Sequence, residues 1–139
     1  MDAKSPVLLT FVAPANASVV DTILFVCPEG AEYEVVEANE AHLTAGSDGG
    51  SVVADLKKAA SGTAITSGTS VLASTFNLKS TASTPVRKTA GNGGLVSSAS
   101  TRRIASGQQL GIDFTGTMTA VVGLCLQVTL KLVRAGVQR

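Results

Sequence analysis

Alternation of apolar and polar residues is clearest near the end of the chain. From residue 124 to 133 every second residue is aliphatic, and the residues between them are mostly polar. Such period-two alternation is typical of a β-strand with one buried face. Residues 110–114 alternate in the same way, and Gly116 ends that stretch. We predict two strands that residues 115–123 join into an antiparallel hairpin.

Three more segments in the first half of the chain predict strands. Residues 18–27 are rich in Val, Ile and Phe, which favour strands. Residues 52–57 alternate after the Gly-rich turn at 46–50. A further strand is predicted over residues 32–37. Residues 34–43 carry the best helix signal of the chain, which is weak and predicts at most one short helical turn.

The N-terminus begins with a short apolar run at residues 7–12. Lys4 before this run and Ala15-Asn16-Ala17 after it imitate a signal peptide with a small-residue cleavage site. The run is too short for the apolar region of such a peptide. We therefore predict that residues 1–18 form an N-terminal arm or a first strand, and that residues 19–139 form a single domain.

Residues 61–107 have a different character, because turn-forming Gly, Ser and Thr separate short apolar islands. A structureless loop of that length is rare inside a compact domain. We predict two or three short strands here, with residues 81–94 as the most mobile part. Many short strands with regular turn signals indicate an all-β fold. The predicted architecture is an antiparallel β-sandwich of the jelly-roll or Greek-key kind, with an extended N-terminal arm and long loops.

Composition adds that the surface is poor in charge. Of the 139 residues, 15% are charged, well below the roughly 25% of a typical soluble domain. No run of 18 apolar residues occurs, so the sequence predicts no membrane span. A neutral surface rich in Ser, Thr and Ala is readily covered by a partner.

The charges are sorted along the chain. Residues 1–55 carry nine acids and one base, whereas residues 56–112 carry seven bases and no acid. The two segments either form opposite surfaces that pair between molecules, or interleave within one sandwich. Nucleic acid is not the expected partner, because the bases are dispersed and Phe76 is the only aromatic residue among them. We expect salt bridges to protein instead, and the contact candidates are Arg87, Lys88, Arg102, Arg103, Glu32, Glu34 and Glu37.

Residues that could carry catalysis are few. Cys27 and Cys125 lie in apolar surroundings, which favours buried and inert thiols, although a cross-strand disulfide stays open. His42 is the only histidine and is expected at the surface or the rim. It has no metal-binding spacing, and no GxSxG motif occurs. We predict a non-enzyme without catalytic residues, metal or cofactor.

Several segments together resemble one family. The sequence HLTAGSDGGSVVADLKK at residues 42–58 is followed by SGTSVL at 67–72, FNLK at 76–79 and RIASGQQLGIDF at 103–114. With the long final strand, this order resembles the small head decoration, or cement, proteins of tailed bacteriophages. The resemblance covers roughly residues 20–133. It implies a jelly-roll or related β-domain on the outside of a capsid, with no catalytic residues.

The resemblance also implies a function. Such a structural virion protein, made in the host cytoplasm, binds the major capsid protein at capsomer junctions and stabilises the expanded shell. A homotrimer is favoured and a dimer is the alternative, with residues 1–18 and 81–94 as arms. Other hypotheses are a carbohydrate- or receptor-binding module, which the absence of Trp weakens, and a phage tail or baseplate component. A hydrolase that uses His42 is a further hypothesis.

Overall fold

Two antiparallel sheets pack face to face in this protein. The computed structural model describes residues 6–13 and 20–135, and ten strands lie within them. They are β1 (Val7–Val12), β2 (Thr22–Val26), β3 (Glu32–Ala41), β4 (Val53–Ala59), β5 (Thr69–Ser70), β6 (Phe76–Asn77), β7 (Val86–Lys88), β8 (Arg103–Ala105), β9 (Gln109–Thr115) and β10 (Cys125–Arg134). A 3-10 turn (Ile65–Ser67) and one short helix, α1 (Ala99–Arg102), interrupt them.

The order of the strands is that of a jelly roll. The first sheet runs β1-β10-β3, and β7 and β8 pair one after the other along the far side of β3. The second sheet runs β2-β9-β4, and β5 and β6 pair in the same way along β4. When each pair of short strands is counted as one interrupted strand, most connections cross from one sheet to the other, as in a jelly roll. The predicted all-β sandwich is confirmed.

The predicted hairpin between the last two long strands is wrong. β9 belongs to the second sheet and β10 to the first, so the connection between them crosses the end of the sandwich. Met118 and Val121 of this connection are buried in the core. At its start, Gly116 has a φ of 96°, and an added Cβ would lie 2.0 Å from the Ser51 carbonyl oxygen. Alternation identifies a strand but does not identify its neighbour, which tertiary packing decides.

The helical turn predicted within residues 34–43 is also wrong, because β3 is a strand throughout. It carries a bulge, since Val35 pairs with Leu130 while Glu37 pairs with the preceding residue of β10, Thr129. Val36 is therefore an extra residue on β3, and the side chains after it change faces. Val35 points into the core before the bulge, and Ala38 does so after it.

The core lies between the sheets and is built from alternate residues of the long strands, together with residues of the short strands and of the connections. Its largest fully buried apolar residues are Phe76, Leu56, Leu78, Leu95, Ile104, Leu110, Ile112, Leu124, Leu126 and Leu130. Half-buried aromatic rings join the sheets near their edges. Phe11 of β1 lies 5.9 Å from Phe114 of β9, and Phe25 of β2 meets Tyr33 of β3 edge to face at 5.2 Å.

The two predicted arm segments contain strands of the sandwich. Residues 7–12 form β1, which pairs along its length with β10, while residues 1–5 and 14–19 lie outside the described part of the chain. Residues 81–94 contain β7, which pairs with β3, and a turn in which the Asn92 side chain accepts bonds from the Thr89 and Gly94 N–H groups. Residues 61–107 form four short strands and α1, more than predicted. No helix in the described ranges is long and apolar enough to cross a membrane.

Replacing Leu126 by Ala tests the alternation of β10. Leu126 is fully buried, so Leu126→Ala removes apolar contacts and leaves a cavity, which should lower the free energy of unfolding by about 2–5 kcal/mol. Urea denaturation followed by circular dichroism measures this change. Gln127→Ala is the matched control on the opposite face of the strand and should change stability by less than about 0.5 kcal/mol. Equal losses for both variants would contradict the assignment of faces.

Candidate interaction surface

Three of the predicted contact residues form an ion cluster within the chain, in which Glu34 and Arg102 are buried and Arg103 is partly exposed. An Arg102 guanidinium nitrogen lies 2.7 Å from Glu34 Oε2, and Arg103 Nε lies 3.4 Å from Glu34 Oε1. Arg102 also donates hydrogen bonds to the backbone carbonyls of Val35 and Val96. These bonds hold α1 against β3, so the charges of Glu34 and Arg102 serve folding and do not meet a partner at the surface.

The other four candidates lie in separate places. Glu37 and Arg87 form an ion pair on the outer face of the first sheet, where the Arg87 side chain is 71% exposed. Lys88 is buried, and its Nζ lies 3.1 Å from Ser74 Oγ and 5.1 Å from the centre of the Phe76 ring. Burial lowers the pKa of Lys88. Glu32 is half-buried at the start of β3.

The acidic and basic segments therefore interleave within one sandwich. β3, which carries Glu32, Glu34, Glu37 and Glu40, lies beside β7 and β8, which carry Arg87, Lys88 and Arg103. In the second sheet, Lys57 of the basic segment also has a partner within the chain, because its Nζ lies 2.7 Å from Oδ2 of Asp113, just after that segment. Of the two alternatives that the sequence leaves open, the described residues support the intramolecular one, and the seven candidates do not form one charged patch.

Internal pairing leaves a broad uncharged surface on the first sheet. The registers of β1, β10 and β3 place three rows of side chains side by side on its outer face. The row on β3 begins with Glu37, which lies opposite Thr129 and is paired with Arg87. We call the rest of this surface the neutral face; its residues are Leu8, Thr10, Val12, Asn39, Ala41, Cys125, Gln127 and Thr129. Leu8 and Val12 are 60% and 64% exposed, and the other side chains on β3 and β10 are half-buried. A depression of about 200 Å³ lies at one end, between Pro85 and Gln127.

A buried Glu–His pair lies on the opposite side of β3. The side chains of Glu40 and His42 are both fully inaccessible, and His42 Nδ1 lies 2.7 Å from Glu40 Oε2. His42 Nε2 lies 2.9 Å from the Ser80 carbonyl oxygen. The Ser83 N–H, in a residue with a φ of 55°, donates to the His42 carbonyl at 2.7 Å. The pair thus fixes the loop that precedes β7 to the end of β3.

Hydrogen-bond chemistry decides where the protons of this pair lie. The Ser80 carbonyl can only accept, so His42 Nε2 carries a proton. A second proton then lies between Nδ1 and Oε2, held by one atom or the other. Burial raises the pKa of Glu40, against the bond to His42, which lowers it. Burial lowers the pKa of His42, but the bonds to Glu40 and Ser80 and the attraction of the carboxylate outweigh this effect and raise it.

The surface position predicted for His42 is wrong, and the bulge in β3 is the reason. It turns residues 38, 40 and 42 inward, so that His42 is 1% exposed. The spacing of Glu40 and His42, two residues apart on a strand, is the only sequence signal for the pair, and it needs the strand to continue past residue 37. Cys125 lies on the neutral face and His42 on the inner side, which separates thiol and imidazole.

The thiols and the acidic residues form no metal site in the described ranges. Cys27 and Cys125 are both free, and Cys27 donates its S–H to the Ala31 carbonyl at 3.3 Å. No group of three or more His, Cys, Asp or Glu side chains there could hold a metal ion. With both ring nitrogens of His42 engaged, the described residues offer no nucleophile and base pair around it.

No protein-family model matches the chain, and no curated protein matches it in sequence. What indicates a function is therefore the arrangement of this chain's own residues.

Replacing Glu40 by Gln should remove a pH dependence of stability. A group whose pKa is raised by folding stabilises the protein below its ordinary pKa, and this contribution disappears as the pH rises through the raised value. Both Glu40 and His42 have raised pKa values, so the free energy of unfolding of the wild type should fall relative to Glu40→Gln as the pH rises. The fall begins above about pH 4.5, where Glu40 ionises in the unfolded chain, and continues above about pH 6.5, where His42 loses its proton in the unfolded chain. Urea denaturation at a series of pH values measures the difference.

Glu37→Gln is the control for this experiment, because Glu37 lies on the same strand but is paired at the surface. The difference between the wild type and Glu37→Gln should stay constant over the same pH range. If the advantage of the wild type over Glu40→Gln grew as the pH rose, the direction of the His42 shift would be wrong.

Two arginine variants should separate the buried ion cluster from the exposed pair. Arg102→Met leaves Glu34 Oε2 and two backbone carbonyls without their donor in a buried site, so we expect a loss of about 3 kcal/mol in the free energy of unfolding. Arg87→Met removes an exposed partner and should cost at most about 1 kcal/mol. Chemical denaturation measures both, and similar losses would contradict the distinction.

Proposed function

We propose that this protein is a structural virion protein that binds the outside of a phage capsid and stabilises the shell at capsomer junctions. Its partner in this proposal is the major capsid protein, and the protein acts as a cement protein without catalysis, cofactor or nucleic acid. Synthesis in the host cytoplasm and assembly into the virion follow from the proposal. The resemblance of residues 20–133 to head decoration proteins names this class.

The observation that carries the proposal is the neutral face. The centres of protein interfaces are depleted of charged residues, because an unpaired charge loses its hydration on binding. All eight residues of the neutral face belong to three neighbouring strands that pair with one another, so the surface is rigid as well as uncharged. A rigid surface loses little conformational entropy when a partner covers it.

Internal pairing of the charges fits the same function. A protein that binds a repeated lattice needs only weak contacts in each copy, because many contacts act together. Apolar and neutral polar contacts of this kind depend little on ionic strength, whereas exposed ion pairs are screened by salt. We therefore expect capsid binding that changes little between low and moderate salt.

Other proposals fit these observations less well. A sugar-binding module usually stacks aromatic rings on the sugar, and the neutral face contains no aromatic side chain. A tail or baseplate component would use a neutral surface equally well. Electron microscopy of virions carrying a labelled copy distinguishes this alternative, because label on the tail alone would reject capsid decoration.

A charge placed in the centre of the neutral face should weaken capsid binding. Gln127→Lys puts an ammonium group between β1 and β3, and we expect at least a tenfold weaker affinity for expanded capsids that lack the protein, or about 1.4 kcal/mol. Cosedimentation with such capsids of the encoding phage measures the affinity. Thr115→Lys adds the same charge at an exposed position of the second sheet and is the matched control.

The proposed stabilisation of the capsid is measured separately from binding, by the temperature at which capsids release their DNA. Capsids loaded with the wild-type protein should release DNA at a higher temperature than undecorated capsids, and Gln127→Lys should remove this shift at equal protein concentration. Absence of binding by the wild type would reject the proposal. Equal weakening by Gln127→Lys and Thr115→Lys would reject the neutral face as the surface that binds.

A further inference from the structure

The two sheets have four edges in the described part of the chain, and three of them carry features that discourage pairing with another chain. β5 and β6 are two residues long, and β7 and β8 are three residues long and contain Arg87, Lys88 and Arg103. β2 has an irregular register against β9. Short strands, charges and bulges are the usual means by which proteins protect the edges of their sheets.

β1 lacks all of these features. It has six residues, none of them charged, and it pairs with β10 without a register shift. Leu8 and Val12 on its outer face are exposed. An edge strand of this kind is a template for a further strand.

The direction of its backbone groups is set by the bonds to β10. The Ala13 N–H donates to the Leu124 carbonyl, and β1 continues the same antiparallel register, in which Phe11 pairs with Leu126. In an antiparallel ladder, alternate residues direct their N–H and C=O groups to the same neighbour. Residues 7, 9 and 11 therefore face β10, while Leu8, Thr10 and Val12 direct their backbone groups to the open edge. Pro6, which has no N–H, ends this row of donors.

The open row is complementary to itself. If a second β1 runs antiparallel with Thr10 opposite Thr10, Leu8 lies opposite Val12 of the other copy and Val12 lies opposite its Leu8. Each of the three residue pairs then exchanges both backbone hydrogen bonds. On the outer face, Leu8 of each copy lies opposite Val12 of the other, and the two Thr10 side chains lie opposite each other. No like charges oppose one another, because the strand has none. A two-fold interface requires this self-complementarity.

We infer that two copies of this chain pair through β1, in an antiparallel register centred on Thr10. The first sheets of the two copies then form one continuous sheet, and their neutral faces lie side by side on the same surface. The inference concerns the protein alone and does not rest on the proposed function. A dimer without capsid binding and capsid binding without a dimer are distinct results.

Sedimentation velocity on the purified chain tests the inference. We expect a species of twice the 14.0 kDa chain mass, which Thr10→Pro should convert to a monomer because it removes the central outward N–H. Thr10→Val keeps the N–H and should stay dimeric. Thermal unfolding of each variant shows whether it is folded, and Leu8→Lys with Val12→Lys gives a second disruption that leaves the backbone intact.

Cross-linking tests the register. In a Cys125→Ser background, Thr10→Cys brings two thiols to directly opposite positions, with Cα atoms about 5.5 Å apart, where a disulfide can form. Leu8→Cys places its two thiols about 13 Å apart along the strands and should not cross-link. A wild type that is monomeric at every soluble concentration, or that is trimeric, would overturn the inference. Equal cross-linking of the two cysteine variants would overturn the register.

Discussion

The bulge at Val36 determines which side chains of β3 meet the core and which meet the surface. Regular alternation after Val35 would send Glu37 and Asn39 inward and Ala38 outward. The extra residue reverses this pattern, so Ala38 packs in the core and Glu40 and His42 are enclosed. The cost of burying two titratable groups is offset by the proton that they share and by the Ser80 carbonyl. After the bulge, Glu37, Asn39 and Ala41 point outward. Glu37 is paired with Arg87, and Asn39 and Ala41 contribute uncharged side chains to the neutral face.

The strand order pairs many of the charged side chains with one another inside the chain. β3 brings its acids beside strands from the basic segment, so the sorted charges of the sequence are distributed over one sandwich. The buried cluster around Glu34 adds little net stability by attraction alone, because two ions lose their hydration there. Its value lies in fixing α1 and β8 in one position, since a different position would leave a buried charge without its partner.

Much of the fold could be predicted from the sequence, and the failures have physical causes. Aliphatic alternation in residues 124–133 and 110–114 identifies β10 and β9, because one buried face requires that pattern. The same pattern contains no information about which strands pair, and the predicted hairpin failed for that reason. Bulges insert a residue without a reliable sequence signal, so the burial of His42 could not be found. The neutral face needs the register of three strands that are distant in sequence.

The open edge of β1 affects both the solubility of the protein and its association with other chains. An exposed, uncharged edge strand favours aggregation unless something covers it in an ordered way. The remaining edges of both sheets are short, charged or irregular, so association through the described edges is directed to one place. Pairing about a two-fold axis satisfies that edge and then closes, because the edge of each copy is used once. In the inferred dimer the neutral faces of two copies lie on one surface without added charge, and under the proposed function a repeated lattice would meet two linked contacts for each assembled unit.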